Sequence, residues 1–145
     1  MFCVTEPRGL NAALPAKLMT QVQKSGCNAG ESRNRELQVV QGKFAGPRVD
    51  GWAVLCSRGR ETTLLVFLSG SEPEPVEFWK TIAGDGQHLS IRSIKPVNRK
   101  FIAEHCQLAD GKLPPIDHQG ILDGFNGSVV HYYNQGKWLH LTVEQ

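Results

Sequence analysis

His105 and Cys106 stand side by side in RKFIAEHCQL, the residue types of a thiol nucleophile and its base. Successive residues of a helix point about 100° apart, so these two side chains do not face one another. A thiol reaction would need a second histidine from elsewhere in the chain, and a lone cysteine is more commonly a packing residue. His131 and His140 are more promising. If Gln135-Gly136 is a two-residue turn, Asn134 faces Lys137, Tyr133 faces Trp138, Tyr132 faces Leu139 and His131 faces His140. One face of that hairpin then carries Val130, Tyr132, Leu139, Leu141 and Val143, the core side. The other carries His131, Tyr133, Trp138, His140 and Thr142, an aromatic and polar surface suited to binding, or simply a well-paired strand face. Two histidines are an incomplete ligand set for a catalytic metal, so no metal is expected.

A third group lies in LPPIDHQGILDGFNG, residues 113–127. Paired prolines stiffen its approach, Asp117 can cap a short helical turn, and Ile121 and Phe125 at i and i+4 can anchor that turn to the core. That arrangement leaves His118, Gln119 and Asp123 as polar groups on a rigid, mostly irregular loop. Asp117, His118 and Asp123 are acid/base material in type, with no nucleophile beside them in sequence. A fourth group is basic: Arg58, Arg60, Arg92, Lys95, Arg99 and Lys100. Nucleic-acid binding would interleave such a set with aromatics, and the aromatic hairpin has no arginine cluster next to it. The basic set therefore reads as solvated surface and no nucleic-acid partner is expected.

Gly42-x-Phe44-x-Gly46 followed by Asp50 resembles one unit of the FG-GAP repeats of calcium-binding β-propellers. Lys43, Ala45, Pro47 and Arg48 stand where oxygen ligands would be required, and there is a single copy. The stretch reads as a turn into a core strand. Four cysteines, Cys3, Cys27, Cys56 and Cys106, are widely separated without any C-x-x-C, which removes the common zinc and thioredoxin signatures. Cys27 follows a helix end and Cys56 sits in a strand-like run. If they pair, the loop they close is worth roughly 3 to 4 kcal/mol and points to an oxidising compartment; as free thiols they would be small buried hydrophobes.

The elements that must position these groups belong to a chain of 145 residues with a formal charge of +2, enough for one core and without a field that attracts nucleic acid or a membrane. No apolar run is long enough to span a bilayer. The start, MFCVTEPRG, has neither a basic nor an apolar segment of the secretory type. Residues 1–13 read as a flexible N-terminal segment and 14–145 as a single domain. PAKLMTQVQKSG has a proline near its start, Leu18, Met19 and Val22 on one stripe, and Gly26 as a stop: one amphipathic helix. LQVVQGKF, WAVLCSR and TTLLVFLSG read as strands, the last two joined by a turn at Arg58-Gly59-Arg60. SEPEPVEFW, with two prolines, reads as a connection that packs Phe78 and Trp79 as a flap. GDGQHLSIRSI returns as a strand, and VNRKFIAEHCQL spaces Val97, Phe101 and Leu108 as a second helix.

The residues "LP…GC", "GKF", "WAVLCS", "LLVF", "PPIDHQGI" and "GKWLHLT" together resemble a group of small uncharacterised bacterial proteins, often exported, that has no assigned activity. The resemblance implies a secreted or periplasmic setting with Cys27 and Cys56 bridged. The expectation is an α+β fold: a single mainly antiparallel sheet of about five or six strands with two principal helices on one face. For function the reading expects a non-catalytic binding or interaction module for a protein or small-molecule ligand. Its surface would use His118, Gln119, Asp123, His131, Tyr133, Trp138 and His140, with no cofactor, as a monomer or weak dimer. The alternative is a hydrolase-like enzyme using His118 with Asp117 or Asp123.

Overall fold

The computed structural model describes residues 14–27, 38–82, 92–108, 111–124 and 128–143. The expected flexible segment 1–13 and Phe125 lie outside them. The order of elements is α1 (Ala16–Lys24), β1 (Gln38–Gly42), β2 (Gly51–Arg58), β3 (Glu61–Phe67), β4 (Val76–Ile82), β5 (Ser93–Val97), α2 (Arg99–His105), β6 (Cys106–Gln107), β7 (Gly120–Gly124), β8 (Ser128–Asn134) and β9 (Lys137–Val143).

The fold is α+β, but the strands form two antiparallel sheets instead of one: β1-β2-β3-β4 and β5-β7-β8-β9-β6. Alternation along the strands explains the layers. In β2, Ala53 and Leu55 join Val40, Phe44, Leu64, Val66, Phe78, Ile94 and Ile121 in a core between the sheets. Trp52, Val54 and Cys56, on the opposite face, pack with Leu65 and Phe67 against Leu18 and Val22 of α1. The outer face of the second sheet, with Val130, Tyr132 and Leu141, is covered by Ile102 of α2. The helices therefore cover different sheets rather than one shared face. A strand apolar on both sides needs a cover on each, and β2 has six consecutive buried residues, Gly51 to Cys56.

Side-chain amides join the two sheets where β1 and β5 lie side by side. Gln38 donates through Nε2 to the Arg92 carbonyl (3.1 Å) and accepts the Ile94 amide at Oε1 (3.4 Å). Gln119 does the same for Lys43, accepting its amide (2.8 Å) and donating its own backbone N–H to the Lys43 carbonyl (2.9 Å). Edge groups that would otherwise be orphaned are thereby satisfied.

Several local expectations change. The prolines of SEPEPVEFW precede β4, so the segment from Val76 is a strand rather than a flap, and an edge one. β5 carries Pro96, tolerated because β5 is also an edge. Residues 120–124 are an internal strand and not an irregular loop or helical turn. There a period of two places Ile121 and Asp123 on the same inward face. Gly120 is required in that strand: a Cβ would lie 2.7 Å from Val130 Cγ1. The final hairpin has the register read from the sequence, and its turn residues Gln135 and Gly136 have φ of 50° and 82°, the two positive values of a type I′ turn.

Cys27 and Cys56 are disulfide-bonded, Cα atoms 5.0 Å apart, fixing the chain three residues past the end of α1 to the outer face of β2. Replacing both by alanine is expected to cost about 3 kcal/mol in denaturant unfolding. Non-reducing peptide mapping of oxidised material should recover the two as one cross-linked species; two free thiols would contradict the pairing.

Candidate functional site

Arg92 and Asp123 meet in the layer between the sheets, their side chains 4% and 3% exposed. Arg92 donates from Nε and Nη2 to the two carboxylate oxygens of Asp123 (2.9 and 2.7 Å), a bidentate pair. Its Nη1 donates to the carbonyls of Trp79 (2.7 Å) and Thr62 (3.1 Å). Arg92 is thus buried and fully engaged, not part of a solvated basic set. Burial pushes the Asp123 carboxyl up, but the hydrogen bonds and charges of Arg92 and His131 outweigh it and hold it down at about 2.

An ionised carboxylate only accepts, so His131 must donate its Nε2–H to Asp123 Oδ2 (2.9 Å). The other ring nitrogen of His131, Nδ1, lies 2.8 Å from His140 Nδ1, and one proton is shared between them. His131 is fully buried while His140 is exposed. Burial, and after it the nearby His131, push His140 below the ordinary imidazole value. With Nδ1 turned inward, His140 Nε2 is the outward end of a chain running Arg92, Asp123, His131, His140. That chain takes up one proton at His140 Nε2 without breaking; a second, at His131 Nδ1, would place two donors face to face.

A wall of rings surrounds it. Phe78 stacks on His131 (centroids 4.8 Å, planes 4° apart) and meets His140 and Trp138 edge-on. Trp79 meets His131 edge-on at 5.0 Å and lies over His140 at 5.4 Å. Its indole is placed by a bulge: Thr62 pairs with Thr81 and Leu64 with Phe78, so Trp79 and Lys80 together oppose Thr63. Trp79 takes φ 39°, a left-handed backbone rare for a large side chain, and remains 49% exposed. Arg92 holds the carbonyl of that same residue, so one guanidinium fixes both the bulge and the carboxylate behind the histidines.

The face expected to be the outer side of the hairpin therefore turns toward the other sheet. His131 and Asp123 are enclosed there, His140 opens to solvent, and Tyr133 and Trp138 are half-buried and in ring contact at 5.1 Å. His118 and Gln119 lie elsewhere and do not point freely outward. His118 stacks on Tyr132 (4.4 Å) with a side chain 7% exposed. Its Nδ1 contacts Asp117 Oδ1 (2.6 Å) and its Nε2 the Tyr133 carbonyl (2.7 Å), so neither ring nitrogen is left free. Gln119 is used at the β1 seam. Asp117 contacts His118, whereas Asp123 faces the opposite side of its sheet.

The other constellations resolve into structure. Cys106 is buried, and desolvation pushes its thiol up to about 11, the wrong direction for a nucleophile. Asp50 of the calcium-like stretch is ion-paired with Lys43. Among the described residues no three His, Cys, Asp or Glu side chains are placed so that they could hold a metal ion. Sequence reasoning missed Arg92 and the conformation of Trp79. A signal for Arg92 was present: it stands two residues before Ile94, hence on the same face of an extended chain as a core residue. Nothing local announced the bulge. No protein-family model, curated protein or solved structure matches this chain.

Asp123→Asn would leave the buried Arg92 charge uncompensated and is expected to cost about 3 to 5 kcal/mol in denaturant unfolding; a loss below about 1 kcal/mol would contradict the enclosed pair. The pH dependence has the same origin. The folded Asp123 titrates at about 2 against an ordinary 3.8, so its stabilisation, on the order of 2 kcal/mol at about 1.4 kcal/mol per unit, is complete above about 4 and lost as pH falls toward 2. His140, lowered from 6.5, adds a decline that starts as pH drops below the imidazole value, because the unfolded chain takes the proton first.

Proposed function

We propose that the protein is a small binding or interaction module, exported to an oxidising compartment, that takes its ligand on the face formed by Trp79, His140, Trp138 and Tyr133. The observation that carries this reading is the half-exposed Trp79 held in a left-handed bulge beside the free Nε2 of His140. Strained backbone with a large exposed ring is costly, on the order of 1 to 3 kcal/mol, and such strain gathers at ligand sites. The indole offers a flat apolar surface and His140 Nε2 a single hydrogen-bond acceptor. A matching ligand has a planar or apolar face and an N–H or O–H donor at its edge. Asp123 and His131 support this face from behind; His118 and Gln119 hold the neighbouring loop in place.

Export is supported by the Cys27–Cys56 disulfide, which is compatible with a periplasmic or extracellular location. Among the described residues no helix is long and apolar enough to cross a membrane.

Titration of labelled protein with phenol and indole as probes should shift the Trp79 indole N–H and the resonances of His140 and Trp138. Trp79→Gly is the informative variant, because glycine adopts the positive φ without strain while removing the ring. It is expected to weaken probe binding about tenfold or more, equivalent to about 1.4 kcal/mol, without loss of fold. Shifts gathered on residues 111–119, or unchanged affinity in Trp79→Gly, would refute this placement.

A further inference from the structure

We infer that His140 Nε2 is a nucleophile toward activated acyl esters, with His131 as the group that accepts its proton. This goes beyond ligand binding and does not depend on it. Its basis is the order of atoms already described: carboxylate, buried imidazole, exposed imidazole, each in hydrogen-bond contact with the next (2.9 and 2.8 Å). Asp123 fixes the Nε2–H tautomer of His131, which leaves His131 Nδ1 as an acceptor. His140 then donates from Nδ1, and the lone pair on its Nε2 is directed away from the chain. The lowered proton affinity of His140 keeps that lone pair free at neutral pH. Among the described residues, the charged or titratable groups facing His140 are His131 from β8, with Asp123 of β7 behind it and Arg92, ahead of β5, behind that; the β4 residues against it, Phe78 and Trp79, are uncharged.

The step balances without any co-reactant beyond the ester and water. The Nε2 lone pair of His140 forms a bond to the ester carbonyl carbon. The bond from that carbon to the leaving oxygen breaks, and the pair of electrons departs with the aryl oxide. The proton on His140 Nδ1 passes to His131 Nδ1, so the acylated ring is neutral, and the imidazolium formed at His131 is held by the Asp123 carboxylate. Water then delivers hydroxide to the acyl carbon and a proton to solvent. The carbon–nitrogen bond breaks with its pair on His140 Nε2, and His131 returns the proton to His140 Nδ1. An exposed imidazole without a buried acceptor behind it hands that proton to water or buffer instead of to a positioned base.

The chain contains its own control. His105 is exposed, its side chain 47% accessible, and its neighbours are Glu104 and the Phe101 ring rather than a second imidazole. The test is reaction of the intact protein with p-nitrophenyl acetate, followed by phenolate release and by rapid peptide mass mapping of acetylated histidine. Acetylation of His140 at least tenfold faster than of His105 is expected, with phenolate release reduced correspondingly in His140→Gln. The rate should rise with pH along a curve centred below the ordinary imidazole value of 6.5. His131→Gln should lower the rate and reduce that displacement, leaving the larger part that burial causes. If His131→Gln does not fold, the comparison of His140 with His105 within the wild-type protein decides alone. Equal acetylation of the two histidines, or unchanged release from His140→Gln, would overturn the inference.

Discussion

The bidentate pair between Arg92 and Asp123 sits where two apolar sheets close on each other, and the rest of the polar interior is arranged around it. A charge in that layer is tolerated only if every donor and acceptor is used. Arg92 answers to two carboxylate oxygens and two backbone carbonyls, and Asp123 also accepts from His131. Elements distant in sequence are bound together by this requirement: β3 through Thr62, β4 through Trp79, β7 through Asp123 and β8 through His131. Apolar residues of equal volume would pack as well, but they would fix neither a histidine tautomer nor a bulged carbonyl.

The same interaction explains why the site is where it is. β4 is an edge, and an edge strand can accept a bulge that an internal strand would resist. The bulge turns the Trp79 ring over His140, and the guanidinium that holds its carbonyl offsets part of the strain. Burial changes in one step along the chain of groups: Asp123 and His131 are enclosed, His140 is open. Polarity is carried from the interior to the surface through hydrogen bonds. By contrast, the equally suggestive Asp117–His118 pair has both histidine nitrogens occupied and stabilises the segment leading into β7.

The layered arrangement depends on a seam as much as on the core. Gln38 and Gln119 mimic backbone partners with their side-chain amides, satisfying groups of β5 and of the end of β1 where strand pairing stops. Those amides are far from their partners in sequence. They have no periodicity that would mark them, which is why one continuous sheet was the natural expectation.

The sequence by itself determined what period and turn chemistry can determine. Alternating residues around Gln135-Gly136 fixed the last hairpin to the residue, including the facing of His131 and His140, because a slip by one would turn the apolar set outward. The apolar stripe of α1, the adjacency of β2 and β3, and the α+β class were legible for the same reason. Only the tertiary structure decided which face of the hairpin is enclosed, that there are two sheets, and that Asp123 belongs with Arg92 and His131 rather than with His118. Ile121 and Phe125 share a helical spacing while Ile121 and Asp123 share an extended one, and local pattern alone could not choose between them. Pairing across the sheets made the choice, since a carboxylate on an inward face has to find a cation, and the cation came from a residue 31 positions earlier.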